Sequence, residues 1–538
     1  MLYRKRVSRR KFLAGAAAAG GAAGLVLVGC GGSSKQSGGS TTAPTGVAGQ
    51  PKTGGTIHVS STAPVLSLDP HTTDGVPYAT YFYSYVVQPT DWHTPDATIG
   101  DLAESWETPD DNTWIFHLRG DAKFPDIAPT NGRAVTAEDV VKSIDRYRAT
   151  PGASTAWDQW TEKYEAVDDR TFKETTKRPY GYFLMDLGSP LTAIMATELV
   201  EQYGGLKDHV AGSGPYVPTS YSQNAGLEMV RNPLYYHDYP YVDGFSIKVL
   251  TDDAAAQAAF RAGQIDAYNA LTRATADNVK GVNGATVQKF LDRLYTVLVV
   301  NANLFPQFKD ERIREAIDLS LDRQQMIDKL FFGDAELAGP VPPLWPAALP
   351  KEEIEAAYKR DVAKAKQLLA AANASNLTFD LSFANYQDNP DRAAIIQSNL
   401  SDAGITANLK GSDIGSWIAA LTANNMVATT FGHLRYLSDY IQINSAHSHG
   451  WTHTDQAYTG VDDPEVDALI DKINGTIDDQ ERISLEQEAQ RKVLARHGPT
   501  FTLYEPYGYW AAYDFIKGYT PTSYGFGLYK YDYWIDKG

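Results

Sequence analysis

Four imidazoles stand close together in the chain: His433, then His447, His449 and His453 in the stretch His447-Ser-His-Gly-Trp-Thr-His453. Alternate residues of an extended segment point the same way, so His447 and His449 could share an ion with a third imidazole. The competing reading is a polar, Gly-broken loop whose rings hydrogen-bond locally. No Cys and no well-spaced carboxylate pair lies nearby to strengthen the metal reading. Motifs of other chemistries are missing: there is no G-x-S-x-G elbow, H-E-x-x-H, G-x-x-x-x-G-K, G-x-G-x-x-G or EF-hand loop. Two carboxylates on distant loops leave no local signature, so a secreted hydrolase with a cleft carboxylate pair stands as a reading of another class. No cofactor is expected.

The 538 residues are 43% hydrophobic and 21% charged, enough for two to four domains at about 150 residues each. Acidic residues number 65 against 48 basic ones, for a net charge of −17. Such a surface repels phosphate backbones, so nucleic acid is excluded as a partner. Nine Tyr, two Trp and two Phe fall between Tyr504 and Trp534, and Tyr78, Tyr81, Phe82, Tyr83, Tyr85 and Trp92 form a second group. A tyrosine gives a flat apolar face with one polar tip, which suits a partly polar organic ligand. Core and strand packing is the reading for most of them, with a minority facing ligand.

The only Cys is Cys30, which rules out a disulfide framework and every all-Cys zinc site. Its setting supplies another use. Arg4, Lys5, Arg6, Arg9, Arg10 and Lys11 precede an uncharged run from Phe12 to Ser34, the layout of a signal peptide over residues 1–29. Ser8-Arg-Arg-Lys-Phe-Leu13 resembles the twin-arginine export motif, and Leu27-Val-Gly-Cys30 resembles a lipobox, which implies a lipidated Cys30 as the first mature residue. An uncleaved membrane helix is the alternative, but Phe12 to Val28 is barely long enough and its Gly and Ala contribute little transfer energy. Residues 30–50 then read as a tether, since sixteen of the twenty residues from Gly31 to Gln50 are Gly, Ser, Thr, Ala or Pro.

The elements that must position any site are mixed α and β. Trp114, Phe116 and Leu118 alternate with polar neighbours, which predicts a strand over Thr113–Arg119. Thr136 with Asp139 begins a helix whose Val140, Ile144 and Tyr147 share a face. Ile313 to Leu321 keeps helical spacing, Asp322 caps the next helix and Gly333 closes it. Asp463-Pro464 opens another helix that ends at Gly475.

Several ordered blocks then become specific. Asp101-Leu-Ala-Glu-Ser-Trp-Glu107, Trp114-Ile-Phe-His-Leu-Arg119, Lys123-Phe-Pro-Asp126 and Thr136 to Ser143 resemble the bacterial extracellular solute-binding proteins of family 5. These are the oligopeptide-, dipeptide- and nickel-binding subunits of ABC importers. Gly212-Ser-Gly-Pro-Tyr216, Arg231-Asn-Pro-Leu-Tyr-Tyr236, Leu321-Asp-Arg323, Asp361 to Leu369, Ile396-Gln397 with Gly404-Ile405, and Asp463 to Ile470 extend the similarity to nearly everything after Gly54.

The resemblance implies a two-lobed periplasmic-binding-protein-like α/β fold of type II, the large class with an extra subdomain, whose two strand crossings form a hinge. Lobe I would comprise 51–293 and 506–538, and lobe II 294–505, with crossings near Leu294–Asn301 and Phe501–Pro506. It implies a non-enzymatic monomer outside the cytoplasm, on the membrane through its lipid, that captures a peptide or other small organic solute for permease subunits. A metal or metal-chelate receptor is the alternative. Peptide-binding members hold the ligand amine with an Asp a few residues after a Trp. In the matching segment, Thr430 to Asp439, Leu434 or Arg435 stands at that Asp. Arg435 can hold a carboxylate or phosphate bidentately, or pair with Asp439. The ligand-binding residues implied are Tyr78, Tyr81, Trp417, His433, Arg435, Tyr436 and Asp439, with Trp417 ahead of a short helix and either on the ligand or buried as an anchor.

Replacing Cys30 with Ser is expected to release the protein from membranes or stall its maturation, read by fractionation. A membrane fraction that survives carbonate extraction unchanged points to a spanning helix instead.

Overall fold

The computed structural model describes residues 50–538 apart from 73–75, 90–97, 151–156, 159, 239, 271–272, 292–293, 387, 436–458, 462, 521–531 and 538. For residues 76, 270, 294–295, 422 and 433–435 it describes the backbone alone. Among the described residues no helix is long and apolar enough to cross a membrane.

One twelve-stranded sheet runs through most of the chain. Its order is 406–412, 378–384, 428–435, 294–300, 500–513, 267–270, 56–61, 244–249, 226–231 and 216–222, with 285–291 and 335–336 also on strand 500–513. Strand Thr500–Tyr513 belongs to both halves. Its first part pairs with Leu294–Val300 (Thr296↔Tyr504, Val299↔Thr500), and its last part pairs with Ala285–Leu291 (Leu291↔Tyr507, Ala285↔Tyr513). The partner changes between Tyr504 and Tyr507 on one strand and between Leu291 and Leu294 on the other. Two principal cores flank that change. One contains Ile57, Phe82, Phe116 and Phe245, and the other contains Leu298, Ile317, Leu381 and Ile396.

Helix Ala137–Ala149 starts at a complete capping box, with Asp139 Oδ2 accepting from Thr136 N at 2.8 Å, and it buries Val140, Ile144 and Tyr147. It packs on a separate antiparallel sheet of four strands in the order 103–110, 113–118, 171–176, 161–168. The strand predicted over 113–119 is Thr113–Leu118. Helices Glu311–Ser320, Arg323–Phe331 and Pro464–Gly475 also form, with Asp322 and Asp463 accepting from backbone N–H groups at the second and third starts.

Period two sends Phe172, Glu174 and Thr176 inward from strand Thr171–Thr176. Glu174 is fully buried opposite Trp114, and accepts only from Thr161 Oγ1 at 2.7 Å, leaving Oε2 without a partner. Burial pushes its carboxyl up to about 8 from 4.5. The folded protein therefore holds a proton that the unfolded chain gives up near pH 4.5, so stability falls as pH rises from 4.5 to 8. We predict that Glu174→Gln removes this slope and makes the protein more stable than wild type at pH 8, by about 2 kcal/mol or more. At pH 4 the two should be similar; urea midpoints at the two pH values check it.

Candidate functional site

Strands Thr378–Ala384, Thr406–Ser412 and Ala428–Arg435 are parallel neighbours, in register at Ala384↔Ser412 and Ser382↔Thr429. In open α/β sheets a ligand crevice lies outside the carboxyl ends of such strands. Asn385 N donates to Ser412 O at 2.7 Å, so the pairing continues past both strands, with Tyr386 next on one and helix Ile414–Thr422 next on the other. Asp413 caps that helix, accepting from Ser416 N at 3.0 Å.

The helix begins at Ile414, so Ser416 and Trp417 lie within it and not ahead of it. Trp417 turns inward. Its Nε1 donates to Thr429 Oγ1 at 3.1 Å, its ring lies 5.5 Å from Phe431, and it shares a small buried cluster with Val297, Val299, Ala384 and Met426. The outward positions are Ile414 and Ile418, one turn apart and 46% and 50% exposed, and Tyr386, just past the neighbouring strand, is 51% exposed. Sequence reasoning missed all three. The available signal was the i, i+4 isoleucine pair after a capping Asp, at the end of a strand.

Beneath strand Ala428–Arg435 lies a charged node built on a buried guanidinium. Arg392 is completely buried, donating from Nε to Thr430 Oγ1 at 3.0 Å and from Nη1 to Asp388 Oδ2 at 2.6 Å and to Tyr504 OH at 3.1 Å. Its Nη2 donates to Asn389 Oδ1, and Tyr504 OH donates to Asp388 Oδ2 at 3.0 Å. Burial raises the Tyr504 hydroxyl far above its ordinary pKa, so it stays a neutral donor. Thr430 Oγ1 in turn donates to Val297 O at 2.9 Å. The guanidinium thus ties helix Asn389–Asp402 to two strands, next to the place where strand Thr500–Tyr513 changes partners. Gly432 is required above it: a Cβ there would sit 2.8 Å from Thr296 Oγ1 and 3.4 Å from Arg392 Nη1.

Tyr78 is half-buried on helix Val76–Phe82 and packs on the first core, and burial raises its hydroxyl pKa. Tyr81 sits inside that core, edge-on to Tyr216 and Phe245 at 6.1 and 5.5 Å, and presents no face to solvent. His433 and Arg435 lie on the last residues of strand Ala428–Arg435, where Arg435 pairs with Leu294. Tyr436, Asp439, His447, His449, His453 and Cys30 lie outside the described residues. Among the described residues no three His, Cys, Asp or Glu side chains gather as a metal site would require. Asp388 is paired with Arg392 at 2.6 Å. This edge offers apolar contact and a rigid backing.

Residues 97–450, more than half of the chain, match the family described as bacterial extracellular solute-binding proteins, family 5 Middle. The chain belongs to that family. As a bacterial extracellular solute-binding protein it has its place outside the cytoplasm. It is 29% identical over 325 residues to the probable D,D-dipeptide-binding periplasmic protein DdpA of Escherichia coli K12, covering 58% of this chain and 60% of DdpA. It is 25% identical over 468 residues to the periplasmic oligopeptide-binding protein OppA of Salmonella typhimurium, covering 80% of this chain and 83% of OppA. Among solved structures it resembles AgaA from A. tumefaciens R10 in complex with agropinic acid, with a TM-score of 0.76 at 22% identity over 90% of this chain and 99% of that one. The fold is accordingly the two-lobed, type II binding-protein fold with two strand crossings.

Two substitutions probe the backing of the site. Thr430→Val keeps shape but leaves Arg392 Nε without its acceptor and is expected to destabilise by about 1–3 kcal/mol. Gly432→Ala forces a methyl against Thr296 and Arg392 and is expected to lose a similar amount, about 1–3 kcal/mol. Urea unfolding of both checks this; wild-type midpoints would show that the node bears no load.

Proposed function

We propose that the mature chain is a receptor exported by the twin-arginine route, tethered by a lipid on Cys30, that captures a partly polar organic solute between its lobes and presents it to the permease of an ABC importer. The strand crossings divide the chain into 51–293 with 506–538 and 294–505, which supply the bulk of the two lobes. A ligand touching both lobes favours their closure by its differential affinity for the closed form. The chain acts as a monomer and leaves its ligand chemically intact.

The observation that carries the ligand side of this reading is the exposed apolar ledge of Tyr386, Ile414 and Ile418 at the carboxyl ends of parallel strands. Apolar surface gathered at such a crevice gains most when a ligand covers it. Trp417 serves the ledge from beneath, as a packed support and not as a contact. Arg435, His433, Tyr436 and Asp439, together with Tyr78 from the other lobe, supply the polar partners. A cation does not pair with a peptide ammonium, so free linear peptides bind weakly and an anionic group is held at Arg435. The proteins this chain resembles are named for a D,D-dipeptide, for oligopeptides and for agropinic acid, a range that leaves the ligand to be set by these side chains.

Mass spectrometry of whatever copurifies, followed by calorimetry against peptides, sugars, organic acids and metal chelates, tests the reading. Ile418→Asp is expected to weaken the best ligand by about 2 kcal/mol, and Arg435→Ala by a similar amount only for an anionic one. Submicromolar binding of ordinary di- or oligopeptides, indifferent to Arg435→Ala, sinks the non-peptide reading. Product formation lost on mutating a carboxylate pair sinks the receptor reading itself.

A further inference from the structure

The buried clusters divide the chain differently from the strand crossings. Every fully buried apolar residue of the second core lies between Leu298 and Ala428 or between Phe501 and Tyr504. The helical hairpin formed by Pro464–Gly475 and Asp479–Ala495 stands between those two stretches in sequence, yet it contributes nothing buried to that core. Its apolar face, Val466, Leu469, Ile470, Ile473, Leu485 and Val493, belongs to the first core together with Trp345.

Polar contacts agree. Gly181 N donates to Asn474 O at 2.8 Å, and the backbones are so close that a Cβ on Gly181 would lie 2.1 Å from Thr476 O. The Tyr182 hydroxyl donates to Glu486 Oε1, with both side chains buried, and the Arg482 guanidinium lies over the Tyr182 ring at 4.8 Å. Arg178 approaches Asp471 at 3.5 Å. On its other side the hairpin holds the 345–353 stretch, through Gln490 Nε2 to Ala347 O at 2.6 Å and Arg491 to Glu353 at 2.8 and 3.0 Å. The chain rejoins the second core just past the hairpin. There His497 adopts a left-handed φ of 45°, its carbonyl accepts from Arg314 Nε at 2.8 Å, and its Nδ1 lies 2.8 Å from Asp318 Oδ2.

We infer that the hairpin 464–495 moves with the first lobe, although the chain reaches it through the second. Closure is then a movement of the Leu298–Tyr504 core against a body that includes the hairpin, and the joint at Arg496–Gly498 flexes along with the two strand crossings. A left-handed non-glycine residue is a strained, localised joint of the kind that such a junction accommodates. The interface itself is too apolar and too well hydrogen-bonded to part and re-form at every cycle. The inference rests on the two-lobed reading, but its test needs no ligand, so it fails or stands independently of what the cleft binds.

Native-state hydrogen exchange with mass spectrometry on the full chain, in urea below the unfolding transition, decides it. Leu381→Ala, or the milder Leu381→Val if the first does not fold, loosens the second core. Exchange in 313–331 and 379–400 should rise at least tenfold while 466–493 stays within twofold of wild type. Tyr182→Phe should do the reverse, raising exchange in 466–493 severalfold and leaving 313–331 unchanged. A hairpin that follows Leu381, a uniform rise across the chain, or a hairpin indifferent to Tyr182→Phe overturns the inference.

Discussion

Both halves of the molecule depend on one strand, Thr500–Tyr513, being continuous while its neighbours are not. At about 3.3 Å per residue it is long enough to serve as an edge-to-edge tie between two cores. Pro506 sits where the pairing changes hands, opposite Ala335, a position at which a missing N–H is tolerated. Gly508 follows, where a Cβ would lie 2.5 Å from the Phe290 ring, so the returning strand can approach closely. Side chains just past the change are locked to the other half: Tyr507 donates to Glu336 at 2.6 Å, Tyr509 to Asp334, and Lys289 reaches Asp334 at 2.7 Å. The crossing is therefore defined by register and by a ring of ionic and phenolic contacts, with bending left to the residues between.

The buried Arg392 node stands at the same place for a related reason. A guanidinium removed from water is destabilising unless every direction is satisfied, and breaking such a node leaves an uncompensated charge. Here four partners come from three elements, so the node is complete only when helix Asn389–Asp402, strand Ala428–Arg435 and strand Thr500–Tyr513 are all in register. Its value is uniqueness of arrangement more than net stability. That is useful beneath a strand whose final residues lead to the ligand side.

Much of the framework was legible because it is local. Thr136 with Asp139, Asp322 and Asp463-Pro464 announce helix starts through hydrogen bonds spanning two or three residues, and the alternation of Trp114, Phe116 and Leu118 needs only its own strand. The site was less legible because orientation is decided by distant neighbours. Asp413-Ile-Gly-Ser-Trp-Ile-Ala-Ala-Leu421 has almost no polar face, so nothing local says whether Trp417 or the isoleucines turn inward. The Thr429 hydroxyl and Phe431 decide it. Tyr81 was likewise indistinguishable from a ligand aromatic until Tyr216 and Phe245 closed around it. Asp388 and Arg392 stand i, i+4 at a helix start, a spacing that nothing in the sequence sets apart from a surface pair, and only the sheet above leaves the guanidinium fully buried.

The same logic explains how one architecture can host different ligands. The node, the shared strand and the Trp417 wedge fix where three parallel strands end, and they do so largely through groups buried in the frame. The residues past those ends, Tyr386, Ile414 and Ile418, are about half exposed, and such positions change at less loss of stability than core ones. A receptor built this way separates the energy that holds the frame from the energy that selects the ligand. On the proposed reading, specificity resides in a few exposed side chains at strand termini, and affinity depends on how firmly the frame beneath resists their displacement.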